Sequence, residues 1–124
     1  MTFLRNSWYA ASWAADLKPD ETLAKTILSI PIVLWRDASG NPVALEDRCC
    51  HRHLPLSMGR VTGDTLQCGY HGLEFDATGD CVKVPGQSKV PPGATVRSFP
   101  VVERYSMVWI WPGDPAKATE TTIP

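Results

Sequence analysis

Four residues in the middle of the chain have the types and spacing to hold iron: Cys49 and His51, one residue apart, and Cys68 and His71, two residues apart. Each pair is a short knuckle that brings a thiol and an imidazole toward one metal-sized space. Pro55, Gly59, Gly69 and Gly72 supply turn chemistry around them. In a [2Fe–2S] centre with this donor set, one iron takes the two thiolates and the other takes two neutral imidazoles. Replacing two thiolates by neutral ligands removes negative charge from the oxidised cluster, so an added electron is accepted more readily and the potential rises. The imidazoles keep their second nitrogens, which can bond a partner or titrate. Zinc could use the same four residues. Zinc motifs, however, usually pair like with like, two cysteines and then two histidines, whereas each knuckle here mixes the two types. The pattern therefore points to one-electron chemistry. Cys50 and His53 make a second, overlapping Cys/His pair, and spacing alone leaves both registers open.

The elements that position these knuckles should be short. With 11 prolines and 9 glycines in 124 residues, the composition favours one mostly β domain with prominent loops. Residues 6–17 read as a short N-terminal helix, capped by Asn6 or Ser7, with Trp8, Ala11 and Ala15 near one face and Lys18-Pro19 ending it. Residues 26–36 read as strand, broken by Pro31 into two short pieces. Residues 37–41 form a turn and 42–46 return as the hairpin partner. Further short strands are expected at 65–67, 73–76 and 81–84, with a turn at 77–80 and a loop at 85–95. The last strands fall at 96–102 and 107–111; the second is apolar on both faces and should be central, with Trp109 and Trp111 in the core. Cys81 alternates with Val82 and reads as core. Residues 1–112 are taken as the domain and 113–124, polar and without periodicity, as the start of a linker.

Composition excludes several partners. The formal net charge of -1 gives no basic field for nucleic acid or an anionic membrane. No apolar run spans a bilayer, and the apolar stretch after Trp8 is broken by Ser12 and Asp16, unlike a signal peptide. A cytoplasmic setting is expected, where the four cysteines serve as metal ligands or thiols. There is no internal repeat and no Gly-rich phosphate loop.

The flanks of the knuckles carry a resemblance. From RNSWYAAS through CHR, PLS, CGYHGLEFD and SFPVVER to VWIWPGDPA, the chain resembles the N-terminal Rieske domain of non-haem iron oxygenases, nearest the vanillate O-demethylase and dicamba monooxygenase group. The resemblance implies a three-sheet antiparallel fold with two cluster-binding loops. It also implies the register Cys49, His51, Cys68 and His71, which makes Cys50 a thiol beside the cluster and His53 a surface residue. Cys50 stands where many members have Pro, and Leu73 where many have Trp. Rieske proteins of respiratory chains carry an additional, disulfide-linked cysteine in each loop and a serine after His-Gly. Here Leu54, Tyr70 and Leu73 occupy those places, which implies the low-potential branch. Arg52 could bond near the cluster or at a subunit interface, and Tyr70 could shield it.

Family membership of this kind implies a cluster fed by a reductase or ferredoxin, which delivers electrons to a mononuclear iron bound by two histidines and a carboxylate in a C-terminal domain. Only His53 remains once His51 and His71 are assigned, so this chain should transfer electrons without oxygenating substrate. A neighbouring subunit of a homotrimer is the further implied partner, and an aromatic acid the substrate by family analogy. The alternative of another class is a free-standing Rieske ferredoxin; a zinc-binding interaction module is a third.

Overall fold

The structure, a computed structural model, describes residues 5–49, 54–69, 72–86, 89–90, 93–119 and 123. The strands among them form three antiparallel sheets. The first has the order β1 (Tyr9–Trp13), β11 (Met107–Ile110), β10 (Val101–Arg104). The second runs β2 (Leu23–Ile27), β3 (Ile30–Arg36), β4 (Pro42–Glu46), β9 (Ser98–Phe99). The third runs β5 (Arg60–Thr62), β6 (Thr65–Gln67), β7 (Glu74–Phe75), β8 (Cys81–Lys83).

The second sheet is the middle layer, and its sequence shows why. Ile32, Val33, Leu34 and Trp35 are all fully buried. Successive side chains leave opposite faces of a strand. Val33 and Trp35, with Val43 and Leu45, pack with Leu66 and Phe75 of the third sheet. Ile32, Leu34 and Ala44 pack with Ala11, Val108 and Ile110 of the first. A strand with core on both sides has no use for polar alternation, hence the continuous apolar run. Arg36 ties the layers at their edge: Nε donates to the Leu17 carbonyl at 2.6 Å, Nη2 to the Ala14 carbonyl at 3.0 Å, and Nη1 to Glu103 Oε1 at 2.7 Å.

The mostly β, three-sheet expectation holds, but the N-terminal helix does not exist. Tyr9–Trp13 is β1, paired antiparallel with β11, and only a short 3-10 turn, Ala14–Asp16, follows. The register of β1 slips between Ala10 and Ser12. That bulge buries two adjacent residues, Ala11 and Ser12, and so breaks the strict alternation by which a strand is read from sequence. Trp8 and Ala11, expected on one helix face, join different cores. Pro31 is likewise not a break. It lies inside β3 opposite Thr26, while the chain reverses earlier, at Leu28 and Ser29. The single strand expected over 96–102 is two: Pro100 separates β9 in the second sheet from β10 in the first. β5 was not anticipated at all.

Leu28 and Ser29 (φ 51° and 66°) and Tyr105 and Ser106 (φ 57° and 62°) turn the β2–β3 and β10–β11 hairpins. Two consecutive left-handed residues match the strand twist, but the conformation favours Asn or Gly over these side chains. Ser106→Gly is expected to stabilise the fold by about 1 kcal/mol, the strain relieved outweighing the added freedom of the unfolded chain. Thermal denaturation of the two proteins checks this.

Residues 113–119 fold back on the outer face of the first sheet. The Trp8 indole N–H donates to the Thr119 carbonyl at 2.9 Å and that of Trp111 to the Asp114 carbonyl at 2.8 Å. The two rings meet edge to face, and Ile123 is buried with them. Among the described residues no helix is long and apolar enough to cross a membrane.

Candidate metal centre

Cys49 follows β4 by two residues and Cys68 follows β6 directly. The middle and third sheets face each other, so both cysteines enter one core with Leu56, Leu73, Phe75 and Cys81. Cys49 is 1% and Cys68 3% exposed. The two loops close alike. The Cys49 N–H donates to the Leu54 carbonyl at 2.7 Å, and the Cys68 N–H to the Leu73 carbonyl at 2.7 Å. Each bond runs from a cysteine to the residue five further on. The span closed by Cys49 contains His51 in sequence, and that closed by Cys68 contains His71. Both histidines, together with Cys50, Arg52, His53 and Tyr70, lie outside the described residues.

Residues not singled out from sequence hold the first loop at its base. Asp47 accepts from the Ser57 N–H at 2.7 Å and from the Ser57 hydroxyl at 2.6 Å, so one carboxylate fastens the two ends of the loop together. The Asp47 N–H donates to the Pro31 carbonyl at 2.9 Å, and the Thr22 hydroxyl to the Ser57 carbonyl at 2.8 Å, anchoring the loop to the middle sheet. An acid immediately before a Cys/His knuckle, with a serine ten residues on, was the available signal. It is too common a pattern to stand out.

Gly59 was expected to make a turn, but its backbone (φ -88°, ψ -151°) is open to any residue. Its role is close approach. A Cβ there would lie 1.8 Å from the Gln67 carbonyl oxygen, and one on Gly69 would lie 3.2 Å from that of Met58. The backbone on either side of the β5–β6 hairpin is thus packed directly together where the second loop begins. Gly72, at φ 73°, does serve a bend.

Burial pushes the Cys81 thiol pKa up, with the nearby Cys49 adding to the effect. Cys81 therefore stays a neutral, buried thiol, as read from sequence. On the outer face of the third sheet, Arg60, Gln67, Glu74 and Lys83 stand in cross-strand register. The Thr65 hydroxyl donates to Glu74 Oε1 at 2.7 Å and holds its carboxyl below the usual pKa, against desolvation, with help from Thr62 and Lys83. A carboxylate whose pKa is depressed on folding adds stability that is present above its unfolded pKa and lost as pH falls through the folded one. Glu74→Gln is therefore expected to lower stability at neutral pH, with the gap closing in acid; urea denaturation at several pH values reads this directly.

Two buried thiols at equivalent loop bases, each followed by a histidine within its loop, supply the mixed donor set that a [2Fe–2S] centre of this kind requires. The residues present fit that cofactor.

Residues 7–100 match the Rieske [2Fe-2S] domain, and the chain belongs to that family. Among its relatives, the iron-sulfur subunit of the toluene-4-sulfonate monooxygenase system of Comamonas testosteroni is 49% identical over 98% of this chain and 35% of its own length. The oxygenase component of dicamba O-demethylase from Stenotrophomonas maltophilia is 50% identical over 100% of this chain and 37% of its own. A crystal structure of dicamba monooxygenase with non-heme iron and dicamba matches with a TM-score of 0.93 at 49% identity, covering 100% of this chain and 38% of that one. The chain spans about a third of the length of these relatives. They are oxygenase components, not free ferredoxins, and the Rieske domain is their electron-transfer part.

Proposed function

We propose that this chain is the electron-entry domain of a Rieske non-haem iron oxygenase, with one [2Fe–2S] cluster held by Cys49, His51, Cys68 and His71. The observation that carries the ligand set is the matched closure of the two loops, in which Cys49 and Cys68 play the same part. This equivalence supports Cys49, rather than Cys50, as the first ligand. The bound cluster supplies reversible one-electron chemistry. Leu56, Leu73 and Phe75 share the core that buries the two cysteines, and the Asp47–Ser57 clamp holds the two ends of the first loop together.

Residues 1–112 form the Rieske domain in this reading, and 113–124 begin the connection to a C-terminal catalytic domain holding the mononuclear iron. The relatives' lengths, about three times that of this chain, support a further domain in proteins of this kind. The electron donor is a reductase or ferredoxin, and the acceptor iron belongs to a neighbouring subunit of a homotrimer. The substrate, an aromatic acid by analogy with the relatives, is bound outside this chain. Cysteines that serve as iron ligands or, like Cys81, as a buried thiol fit the reducing cytoplasm.

The purified chain is expected to be red-brown, with two irons and two acid-labile sulfides, and to give two inequivalent irons in Mössbauer spectra. Its potential should lie near the bottom of the ~-150 to +300 mV Rieske span, because Leu73 offers no hydroxyl to the cluster. Stoichiometric zinc without labile sulfide would overturn the assignment.

A further inference from the structure

We infer that the Asp47 carboxylate is a fixed negative charge at the base of the first cluster loop and lowers the reduction potential of the cluster. The inference rests on the ligand set proposed above and adds a residue that tunes the centre formed by it. Asp47 stands directly after β4 and two residues before Cys49, where the loop leaves the middle sheet.

Main chain and side chain both hold it there. The Asp47 N–H donates to the Pro31 carbonyl at 2.9 Å, and two residues on the Cys49 N–H donates to the Leu54 carbonyl at 2.7 Å. Of the two carboxylate oxygens, Oδ1 accepts from the Ser57 N–H at 2.7 Å and Oδ2 from the Ser57 hydroxyl at 2.6 Å. Ser57 is itself anchored, because its carbonyl accepts from the Thr22 hydroxyl at 2.8 Å. The carboxylate therefore cannot swing away from the loop without breaking two charge-assisted bonds.

Both of those donors are neutral, so they orient the charge without cancelling it. The Asp, Glu, Lys and Arg residues at 46–57 are Glu46, Asp47, Arg48 and Arg52. Glu46 and Arg48 pair with each other at 2.5 Å, and Arg52 lies outside the described residues. Among the described residues no cation pairs with Asp47. Glu74, the carboxylate that follows the second loop, is matched by Lys83, whose Nζ lies 3.7 Å from Oε2. Asp47 is partly buried and Cys49 is fully buried, so the medium between them screens less than water does.

The sign of the effect follows from the charge of the electron. Reduction adds one unit of negative charge to the cluster. A carboxylate held nearby repels that charge and disfavours the reduced state, so the potential falls. Asp47 thus acts in the same direction as the missing hydroxyl at Leu73.

Asp47→Asn tests this by removing the charge while keeping the geometry. The amide oxygen still accepts from the Ser57 N–H, and the amide nitrogen donates to the Ser57 oxygen. Protein-film voltammetry of the cluster-loaded chain, at constant pH and ionic strength, should give a more positive potential. Iron and sulfide content and the EPR g-values of the reduced cluster should be those of the unsubstituted chain. Asp47→Ser, a second neutral variant, should shift the potential in the same direction. Ser57→Ala keeps the charge and loses one bond, so it should shift the potential less than Asp47→Asn does. Asp16→Asn, in the exposed turn after β1 on the other side of the middle sheet, should leave the potential unchanged. An unchanged or more negative potential in Asp47→Asn would overturn the inference, as would an equal shift in Ser57→Ala or in Asp16→Asn. Loss of iron from both neutral variants would overturn it too, since the cluster would then depend on the clamp's hold on the loop and not on its charge. Failure of the unsubstituted chain to hold iron and sulfide would instead bring down the ligand assignment beneath it.

Discussion

Cys49→Ser and Cys68→Ser are each expected to leave the chain without its iron, while Cys50→Ser keeps the full complement and an almost unchanged visible spectrum. A serine hydroxyl does not ionise near neutral pH and is a hard donor, so it replaces a thiolate poorly at iron. The two substitutions act at equivalent places, because each cysteine closes its own loop by an N–H bond of 2.7 Å to the carbonyl five residues on. Those bonds belong to the backbone and survive the change to serine. Loss of iron would then report the missing sulfur rather than a collapsed loop. His51→Ala should follow the cysteines and His53→Ala should follow Cys50. Iron and sulfide analysis after identical reconstitution, with circular dichroism as the control for folding, reads the result. If Cys49→Ser retained iron and Cys50→Ser lost it, the overlapping register would be the true one.

Gly59→Ala should be among the most damaging single substitutions available, costing more than about 3 kcal/mol and reducing cluster uptake in proportion. The backbone at Gly59 is one that alanine adopts freely, so the expected cost is purely steric. An added methyl carbon would stand 1.8 Å from the Gln67 carbonyl oxygen, and that oxygen belongs to a main chain which cannot move without opening β5 from β6. Cys68 is the next residue, so any relief of the clash displaces a cluster ligand. Gly63→Ala is the contrast. Gly63 has φ 67° with nothing within 4 Å of an added Cβ, so its substitution should cost only about 1–2 kcal/mol of conformational strain and leave the iron in place. Urea denaturation of the two variants separates the effects. Near-equal destabilisation would show that the close approach at Gly59 is easily relaxed.

The chemistry was legible in the sequence because it rests on residue type and short spacing. Cys49, His51, Cys68 and His71 stand within a few positions of one another in pairs, and local chain geometry limits what such pairs can do. The turns at 37–41 and 77–80 were legible for the same reason. Asp37 and Asp76 each bond backbone N–H groups within four residues of themselves, which is a property of the local segment. The Ile, Val and Leu of 30–35 likewise announced strand, whereas the core on both faces of β3 emerged only in the structure.

What tertiary structure alone decided depends on a partner distant in sequence. Residues 9–13 became strand because β11 lay beside them, and the i, i+3 spacing of Trp8 and Ala11, which suggested one helix face, instead places them in two different cores. Pro31 stayed within β3 although it cannot donate a hydrogen bond, while Leu28 and Ser29 took a left-handed turn that their side chains disfavour. The pairing of β2 with β3, and the core on both sides of β3, outweigh those local preferences. The value of Gly59 is invisible in its own neighbourhood, since it is set by the carbonyl of Gln67 across the hairpin. Short-range spacing thus announced the kind of centre this chain holds, and long-range packing determined how the loops that bear Cys49 and Cys68 are held together.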